Sequence, residues 1–484
     1  MLDISHKLFS AWNNAGLLYC HWKSNEHLVP GLDGDTDLDV LLSSLDRGAG
    51  EEILKELDFL KCRSQYGSRY PGVDDWIGFD RLTGKQIHLH LHYHIITGHK
   101  GMKEFSLPWT EIALQTRILD KDTEVYIMEP NLEILTIYTR IALKISIKDF
   151  GKKYIGHYKV SKSSLREIKW LKERIDWSET EHLVQKFYGV QASVVTSIMR
   201  KDKLLVDDVF KLKKIAEKTF RPYNRVGWHN VFIEFYYTFV SKHLLKLHHR
   251  IKGYVISRKT PASGKGLTIA FLGQDGAGKT TVTSELRRWL KWKLDVRYTY
   301  LGCGDNYHSW RKTALKVLPN NILFRVIRVW LILSKYTTLS KDVINYIKSG
   351  EKYADHGGIQ IFDRYPQIQF EGISDGPKLR VMMLKKLPSF LRKIFSFMAD
   401  IEEKRLSKVV DHQPDMVFKL LLPPEESVRR KPENKLESMI QKHELIKALQ
   451  FGGNTKVYEI DATMPYEQEI VLIKNIIWDS LIKE

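Results

Sequence analysis

The pattern of apolar and polar positions divides the 484 residues into regions of different character. Residues 1 to about 125 mix short alternating runs, typical of strands, with runs at helical spacing. From about 130 to 250, apolar side chains recur at helical spacing, whereas strand-like and helix-like runs alternate from residue 267 onward. This alternation predicts an α/β fold, with a parallel sheet covered by helices on both faces.

The same regions predict the domain boundaries, because 484 residues exceed the size of one ordinary core. We expect an α+β domain over 1–125, a basic and mostly helical region over 126–251, and an α/β domain over 267–484. Residues 252–266 carry Gly, Ser, Pro and charge with few apolar side chains, so they are predicted to form a linker.

Composition favours a soluble globular protein, with 43% hydrophobic and 28% charged residues. Three widely spaced cysteines, Cys20, Cys62 and Cys303, indicate a reducing compartment without a disulfide framework, so we expect a cytoplasmic protein. The N-terminus lacks the pattern of a signal peptide, and no apolar run is long enough to predict a transmembrane helix. The longest candidate, 322–333, is interrupted by two arginines and predicts an amphipathic helix.

The net charge of +18 is concentrated in the middle of the chain. Residues 141–260 contain 26 Lys and Arg but only 11 Asp and Glu. A solvated helical surface explains this excess, and so does a binding surface for an anionic partner such as nucleic acid, a phosphorylated polymer or a membrane. Charge by itself does not decide between these alternatives.

A glycine-rich loop carries the clearest chemical signal. The apolar run 267–272 is followed by Gly-Gln-Asp-Gly-Ala-Gly-Lys-Thr and then by a helix-like run, which is the strand–loop–helix context of the G-x-x-x-x-G-K-[ST] phosphate-binding motif. Lys279 is predicted to reach the β- and γ-phosphates, and Thr280 to ligate Mg²⁺. The residues predicted to bind ATP are Gly273, Asp275, Gly276, Ala277, Gly278, Lys279, Thr280 and Thr281.

Three further landmarks follow this loop. An apolar strand ends at Asp363-Arg364, at the edge of the sheet where doubly wound folds bind ligands. There, a carboxylate can hold Mg²⁺ and an arginine can clamp a phosphate. A second strand leads into a basic helix with Arg429 and Arg430, and the last strand ends at Asp461.

The order of these blocks over 267–484 resembles the thymidylate kinase family of nucleoside monophosphate kinases. The resemblance implies transfer of the ATP γ-phosphoryl group, with Mg²⁺, to dTMP or a similar phosphorylated acceptor. It also implies that Asp275 contacts the acceptor sugar, that Asp363 acts on the metal and acceptor, and that Arg364 clamps the acceptor phosphate. Arg429 and Arg430 would belong to a mobile lid that brings cations over the transferring group.

The segment after Asp363-Arg364-Tyr365 departs from that family. It reads Pro-Gln-Ile-Gln-Phe-Glu-Gly-Ile-Ser, without the family's small serines and base-pocket block. Gln367 or Gln369 remains a candidate for hydrogen bonding to a base. Phosphoryl transfer is therefore better supported than dTMP as the acceptor.

The N-terminal region has a different carboxylate pair. Asp37 and Asp39 lie one residue apart at the start of a predicted strand, so both side chains face the same way and could bind Mg²⁺. Together with the upstream Lys-Ser, they resemble the polymerase-β-like nucleotidyltransferase fold, which implies a third carboxylate from a later strand. The candidate strand has His90-Leu91-His92 instead. Its alternating histidines are the polar face of an edge strand or a metal- or pH-sensitive site.

Three functional hypotheses remain open from the sequence. The first is an ATP-dependent kinase that acts on a nucleotide or another phosphate- or sugar-bearing acceptor. The second is a bifunctional enzyme that combines nucleotidyl transfer in the N-terminal domain with the kinase. The third is an NTP-gated module that binds nucleic acid or another anionic polymer through 141–260.

Overall fold

The computed structural model describes residues 1–65, 69–227, 231–302, 322–371, 375–383 and 389–483. The chain forms two compact units, Met1–His248 and His249–Glu484. Cys20 and Cys62 are buried free thiols, and Cys303 lies outside the described residues. Among the helices in the described ranges, none has the length and apolar character needed to span a membrane.

The first unit combines a sheet with a helical part. Its strands are β1 (Tyr19–His21), β2 (Asp37–Leu42), β3 (Leu60–Arg63), β4 (Val73–Phe79), β5 (Gln86–His92), β6 (Ile96–Thr97), β7 (Phe105–Ser106), β8 (Ile118–Leu119) and β9 (Tyr126–Ile127). Its helices are α1 (Asp3–Asn14), α2 (Leu28–Leu32), α3 (Arg47–Glu56), α4 (Thr110–Gln115), α5 (Pro130–Leu143), α6 (Ile147–Tyr154), α7 (Lys162–Lys172), α8 (Trp177–Tyr188), α9 (Ala192–Met199), α10 (Val206–Thr219) and α11 (Val231–Ile251).

The main sheet of this unit is mixed. Within the unit its strands lie in the order β3-β4-β5-β2-β1-β9-β8. β5 is parallel to β2 and antiparallel to β4, so the histidine-bearing strand is paired on both sides. The interpretation of this strand as a polar edge strand is therefore wrong. His88 and His92 are buried instead of facing solvent.

Helix α5 is the centre of the helical part. Pro130 stands at its first position, where the missing N–H costs nothing, and the Glu129 carboxylate accepts hydrogen bonds from the next two free N–H groups. Buried residues surround the helix on nearly all sides, which explains why its sequence is apolar without a distinct polar face. α7, α8 and α10 pack around it.

A buried carboxyl group makes the stability of this unit depend on pH. Glu133 of α5 is 1% exposed and accepts hydrogen bonds from the Asn25 backbone N–H and side-chain amide. Burial, helped by the nearby Glu167 carboxylate, raises the pKa of Glu133 to about 8. Because the pKa is higher in the folded than in the unfolded chain, stability is lost as the pH rises towards 8.

We therefore expect the wild-type protein to lose about 1–3 kcal/mol of stability relative to Glu133→Gln between pH 4 and pH 8.5, because the amide does not ionise. The comparison concerns the pH dependence and not the absolute stability, since an amide can accept only one of the two hydrogen bonds from Asn25. Urea unfolding at the two pH values measures this, with the exposed Glu52→Gln as the matched control. A stability difference between wild type and Glu133→Gln that is the same at both pH values would contradict the assignment.

The second unit alternates strands and helices. Its strands are β10 (Thr260–Pro261), β11 (Leu267–Gly273), β12 (Val296–Tyr300), β13 (Ile359–Asp363), β14 (Met416–Leu421) and β15 (Lys456–Asp461). Its helices are α12 (Lys279–Lys291), α13 (Ile322–Ala354), α14 (Leu379–Met383), α15 (Ser389–Leu406), α16 (Pro424–Arg430), α17 (Leu436–Ala448) and α18 (Tyr466–Ile482).

The predicted parallel sheet is confirmed in this unit. Its strand order is β12-β13-β11-β14-β15, and every neighbouring pair is parallel. The strands with buried faces on both sides, β11, β13 and β14, are almost continuously apolar, as expected when helices cover both faces of a sheet. α13 and α17 share one apolar cluster with the sheet, whereas α12 packs with α18 through Trp289 and Trp478.

The segment predicted as a linker packs onto the second unit. The Tyr254 ring stacks on His356 with 3.8 Å between ring centroids, and Ile256 is 5% exposed. The Asp295 carboxylate accepts hydrogen bonds from the backbone N–H groups of Ser257 and Arg258. These two bonds come from backbone N–H groups, so the sequence of 252–266 does not reveal them.

Candidate functional site

The phosphate-binding motif lies between the central strand of the parallel sheet and a helix N-terminus. β11 ends at Gly273, and α12 begins at Lys279. Gly276 and Gly278 have φ values of 90° and 82°, a backbone region that disfavours other side chains. These conformations explain two of the three glycines, because the loop must curl back before the helix starts.

The side chain of Lys279 points back over this loop. Its ammonium group donates hydrogen bonds to the carbonyl oxygens of Gly273 and Gln274, at 2.7 and 2.9 Å. Burial, together with the nearby Arg364 charge, lowers the pKa of Lys279 to about 8. A buried ammonium held only by neutral carbonyls is well placed to gain from an anionic ligand.

Asp363 lies beside the loop, at the end of β13. It pairs in parallel register with Phe271 of β11 and is 1% exposed. Its Oδ2 atom accepts hydrogen bonds from the Tyr298 hydroxyl at 2.8 Å and from the Thr280 hydroxyl at 3.2 Å. Its Oδ1 atom is buried and accepts no hydrogen bond from any residue that the structure describes.

This arrangement fits a Mg²⁺ site. The buried Oδ1 atom of Asp363 has no hydrogen bond within the described ranges, which is unfavourable in free energy. The Thr280 hydroxyl oxygen lies 3.2 Å from the same carboxylate. Mg²⁺ prefers such oxygen ligands and keeps several waters, so Thr280 and Asp363 are a sufficient protein contribution.

Arg364 adopts an unusual backbone conformation next to Asp363. Its φ is 70°, and its N–H donates to the carbonyl oxygen of Phe271 at 3.1 Å. Its guanidinium lies 3.7 Å from the Asp275 carboxylate and 3.6 Å from that of Asp375. The strained backbone turns the side chain towards the loop, where two carboxylates hold it.

A cavity of about 270 Å³ opens beside these residues. Its charged lining residues are Asp275, Lys279, Arg364, Asp375, Lys378 and Lys442. Lys442 of α17 is 2.6 Å from the Asp275 carboxylate. Although burial opposes the charge, this hydrogen bond lowers the pKa of Asp275 below its usual value, so the carboxylate is ionised at neutral pH.

The predicted lid arginines differ in their positions. Arg430 donates to the carbonyl oxygens of Gly276 at 3.3 Å and Ala462 at 3.1 Å, so it touches the phosphate-binding loop. Arg429 is 79% exposed and is paired with Glu426 on its own helix. The structure therefore brings Arg430, but not Arg429, to the loop.

The two glutamines named as candidates for base recognition form hydrogen bonds to backbone atoms. The Gln367 side chain exchanges hydrogen bonds with the Phe370 backbone, and Gln369 does the same with Gln450. Neither lines the cavity. A base contact from either glutamine stays a prediction.

The carboxylates of the first unit meet the histidines of β5. Asp37 lies opposite His88 and Asp39 opposite His90 in the parallel register. The Lys23 ammonium is 2.7 Å from Asp39. Burial works against ionisation of Asp39, but Lys23 and the neighbouring imidazoles hold its pKa well below the usual range.

A third carboxylate, which the sequence analysis missed, lies on β4. Asp75 is opposite His90 in the antiparallel register, and its Oδ1 atom lies 3.3 Å from His88 and 3.1 Å from His90. The sequence feature that could have identified it is the Asp74-Asp75 pair near the start of an otherwise apolar strand. The third carboxylate was expected on β5, which carries histidines at the corresponding positions.

Comparison with known proteins finds relatives that match less than half of this chain. No protein-family profile matches the chain. Escherichia coli K12 has "Uncharacterized ATP-binding protein YghR", 25% identical over 214 residues, which cover 41% of this chain and 82% of YghR. "Uncharacterized ATP-binding protein YghS" of the same organism is 24% identical over 220 residues, covering 41% of this chain and 87% of YghS.

Among solved structures, the deoxyadenosine kinase of M. mycoides with bound dATP is similar to 43% of this chain. The similarity covers 98% of that chain, with 15% identity and a TM-score of 0.26.

Proposed function

We propose that the second unit is an ATP- and Mg²⁺-dependent phosphotransferase that resembles thymidylate kinase and acts on a phosphate-bearing acceptor such as a nucleoside monophosphate. The observation that carries this proposal is the cavity beside the phosphate-binding loop, where Lys279, Arg364 and Lys442 converge. Both E. coli relatives are named ATP-binding proteins, which supports ATP as the donor.

The loop and the N-terminus of α12 would hold the triphosphate. Backbone N–H groups at a helix N-terminus bind phosphate, and the helix dipole favours negative charge there. Lys279 would exchange its two carbonyl contacts for phosphate oxygens. Arg430, already at Gly276, would add a cation at the outer side of the loop.

Thr280 and Asp363 would hold the Mg²⁺ ion, which neutralises charge on the β- and γ-phosphates when bound. Tyr298 donates to Asp363 and so fixes the orientation of the carboxylate. Positioning and charge neutralisation are the main sources of catalysis in phosphoryl transfer, so this chain's residues need little covalent chemistry.

The charges of the cavity indicate an acceptor that is both anionic and polar. Arg364, Lys378 and Lys442 supply positive charge, whereas Asp275 can accept a hydrogen bond from an acceptor hydroxyl. The carboxylates of Asp275 and Asp375 lie 3.7 and 3.6 Å from the Arg364 guanidinium and hold it beside the cavity. Such a site fits a phosphate linked to a hydroxylated sugar.

We expect Lys442→Gln to raise the KM for the acceptor by about 10–100-fold, because a charge-assisted contact at an anion site is lost. The kcat should change less, since Lys279, Thr280 and Asp363 are unaltered. Steady-state kinetics with varied acceptor measures both constants. Lys447→Gln, an exposed position on the same helix, is the control, and an unchanged KM in Lys442→Gln would exclude this lysine from acceptor binding.

The proposal is tested by acceptor-dependent ADP formation from ATP and Mg²⁺. The panel contains nucleoside monophosphates, sugar phosphates and short oligonucleotides. Stimulation by dTMP or another monophosphate supports the proposal, and stimulation by a sugar phosphate alone retains the chemistry with a different acceptor. ADP formation without dependence on any acceptor would contradict it.

Binding of an anionic polymer by 141–260 stays a prediction. Several cations there are paired with carboxylates, including Lys153 with Asp207 and Arg200 with Glu181. These pairs reduce the positive charge that a polymer would meet, and they favour the interpretation of a solvated helical surface.

A further inference from the structure

Four cationic side chains of the first unit converge near the end of β1. Lys23 lies just after β1, Arg140 lies in the last turn of α5, and Lys144 caps that helix. The Lys23 ammonium is 4.9 Å and the Arg140 guanidinium 5.3 Å from the centre of the Trp22 ring. Because residues four apart are neighbours on a helix surface, Lys144 lies beside Arg140. With Lys103, these side chains form what we call the cation cluster: Lys23, Lys103, Arg140 and Lys144.

Two members of the cation cluster have carboxylates nearby. Lys23 is paired with Asp39 at 2.7 Å. Arg140 lies 3.9 Å from Glu167, a carboxylate that already accepts hydrogen bonds from the N–H and the hydroxyl of Ser24. The Nη1 atom of Arg140 is buried and donates no hydrogen bond within the described ranges. Such a buried donor is unfavourable in free energy, and an oxygen acceptor from a ligand would satisfy it.

The other two members of the cluster experience mainly repulsion. Lys103 and Lys144 form no ion pair in the part of the chain that the structure describes. The Arg140 charge, followed by burial, lowers the pKa of Lys144 to about 7, and the charges of Lys23 and Lys103 act in the same direction. Burial and the Lys23 charge lower the pKa of Lys103 to about 8. Because these cations disfavour one another's charged forms, an anion bound among them is stabilising.

Two segments that carry the cluster have strained backbone. Ser24, next to Lys23, and Lys103 itself have φ values of 58° and 45°, in the left-handed region that favours glycine. The Glu167 carboxylate fixes Ser24 through its two hydrogen bonds. The Lys103 carbonyl oxygen accepts a hydrogen bond from the Arg225 guanidinium. Strain of this kind persists where the surrounding structure enforces it and is concentrated at binding sites, which agrees with a ligand at the cluster.

From these contacts we propose that the first unit binds a small phosphate-bearing ligand whose phosphate group is held by the cation cluster. Phosphate suits the cluster because a guanidinium can donate to two of its oxygens at once, whereas ammonium groups add point charges. The side chains of Lys23 and Arg140 are only 16% and 12% exposed, so a compact anion reaches them more readily than a polymer does. The site is separate from the ATP-binding loop and does not depend on the phosphotransferase activity proposed above.

The test is isothermal titration calorimetry of inorganic pyrophosphate, without metal, into the full chain carrying Lys279→Ala, which removes the lysine of the phosphate-binding loop in the second unit. Lys144→Gln should weaken binding by about tenfold, and Arg140→Gln combined with Lys144→Gln by about 100-fold or more, because each change removes a charge-assisted contact. Lys169→Gln, at an exposed lysine of α7, should leave the affinity unchanged. Absent binding, or binding that the combined variant does not weaken, overturns the proposal.

Trace reductive methylation of lysines, followed by mass spectrometry, tests the same site in the wild-type chain without any substitution. Bound pyrophosphate raises the pKa of nearby amines and covers them, so methylation of Lys103 and Lys144 is expected to slow by about tenfold. Lys169 should react at the same rate with and without pyrophosphate. Unchanged rates at Lys103 and Lys144 under saturating pyrophosphate would overturn the proposal.

An oligonucleotide without terminal phosphates distinguishes a small ligand from a polymer. It presents singly charged phosphodiesters along a chain, which the largely buried cations of the cluster do not admit. We expect it neither to slow the methylation of Lys103 and Lys144 nor to displace pyrophosphate. Protection of both lysines by the oligonucleotide would assign the cluster to a polymer and overturn the proposal of a small ligand.

Discussion

Replacing Lys279 with alanine is expected to lower turnover by about 10³-fold or more, because a preorganised cation on the transferring phosphoryl group is lost. The fold should remain intact, since the hydrogen bonds that the ammonium donates within the described ranges go to the carbonyl oxygens of Gly273 and Gln274. Removing it relieves a buried charge whose pKa is already lowered to about 8 by burial. The measurement is the steady-state rate of ADP formation with saturating ATP, Mg²⁺ and acceptor.

Lys291→Ala is the matched control, because it removes an exposed lysine at the other end of the same helix. It should retain the wild-type rate. If Lys279→Ala were to keep more than a tenth of the wild-type rate, the loop would not be the catalytic phosphate site.

Replacing Asp363 with asparagine is expected to lower turnover by about 10²–10³-fold and to raise the Mg²⁺ concentration required. The amide keeps the size of the carboxylate and can still accept from Tyr298 and Thr280, so packing is preserved. It removes the negative charge that would hold the ion. Activity titrated with Mg²⁺ in wild type and variant separates the two effects.

Tyr298→Phe provides a graded comparison for the same carboxylate. It removes one hydrogen bond to Asp363 but leaves the charge, so we expect a loss of about tenfold or less. A larger loss in Tyr298→Phe than in Asp363→Asn would mean that the hydroxyl, and not the carboxylate, carries the function.

Local motifs were predictable because their residues are adjacent in sequence. The phosphate-binding loop, the strand that ends at Asp363 and the strand that begins at Asp37 are each contained in about ten residues. Their hydrophobic pattern fixes which end of the strand meets the loop. The parallel sheet was predicted from the alternation of strand-like and helix-like runs from residue 267 onward.

Residues that join a site from distant elements were not predictable. Lys442 reaches Asp275 across 167 positions of sequence, and nothing in the sequence of α17 distinguishes it from the exposed Lys447 of that helix. Asp75 reaches the histidines only through the pairing of β4 with β5. The register of two paired strands depends on the whole sheet, so it could not be predicted from the local sequence of β4 or β5.

Phosphoryl transfer is tested by following the label of ATP that carries it at the γ- or the α-phosphate, incubated with Mg²⁺ and each acceptor. We expect label from the γ position on the phosphorylated acceptor, whereas label from the α position stays in ADP. The transfer should disappear in Lys279→Ala. Label from the α position on the acceptor, or release of γ-label only as inorganic phosphate, would contradict it.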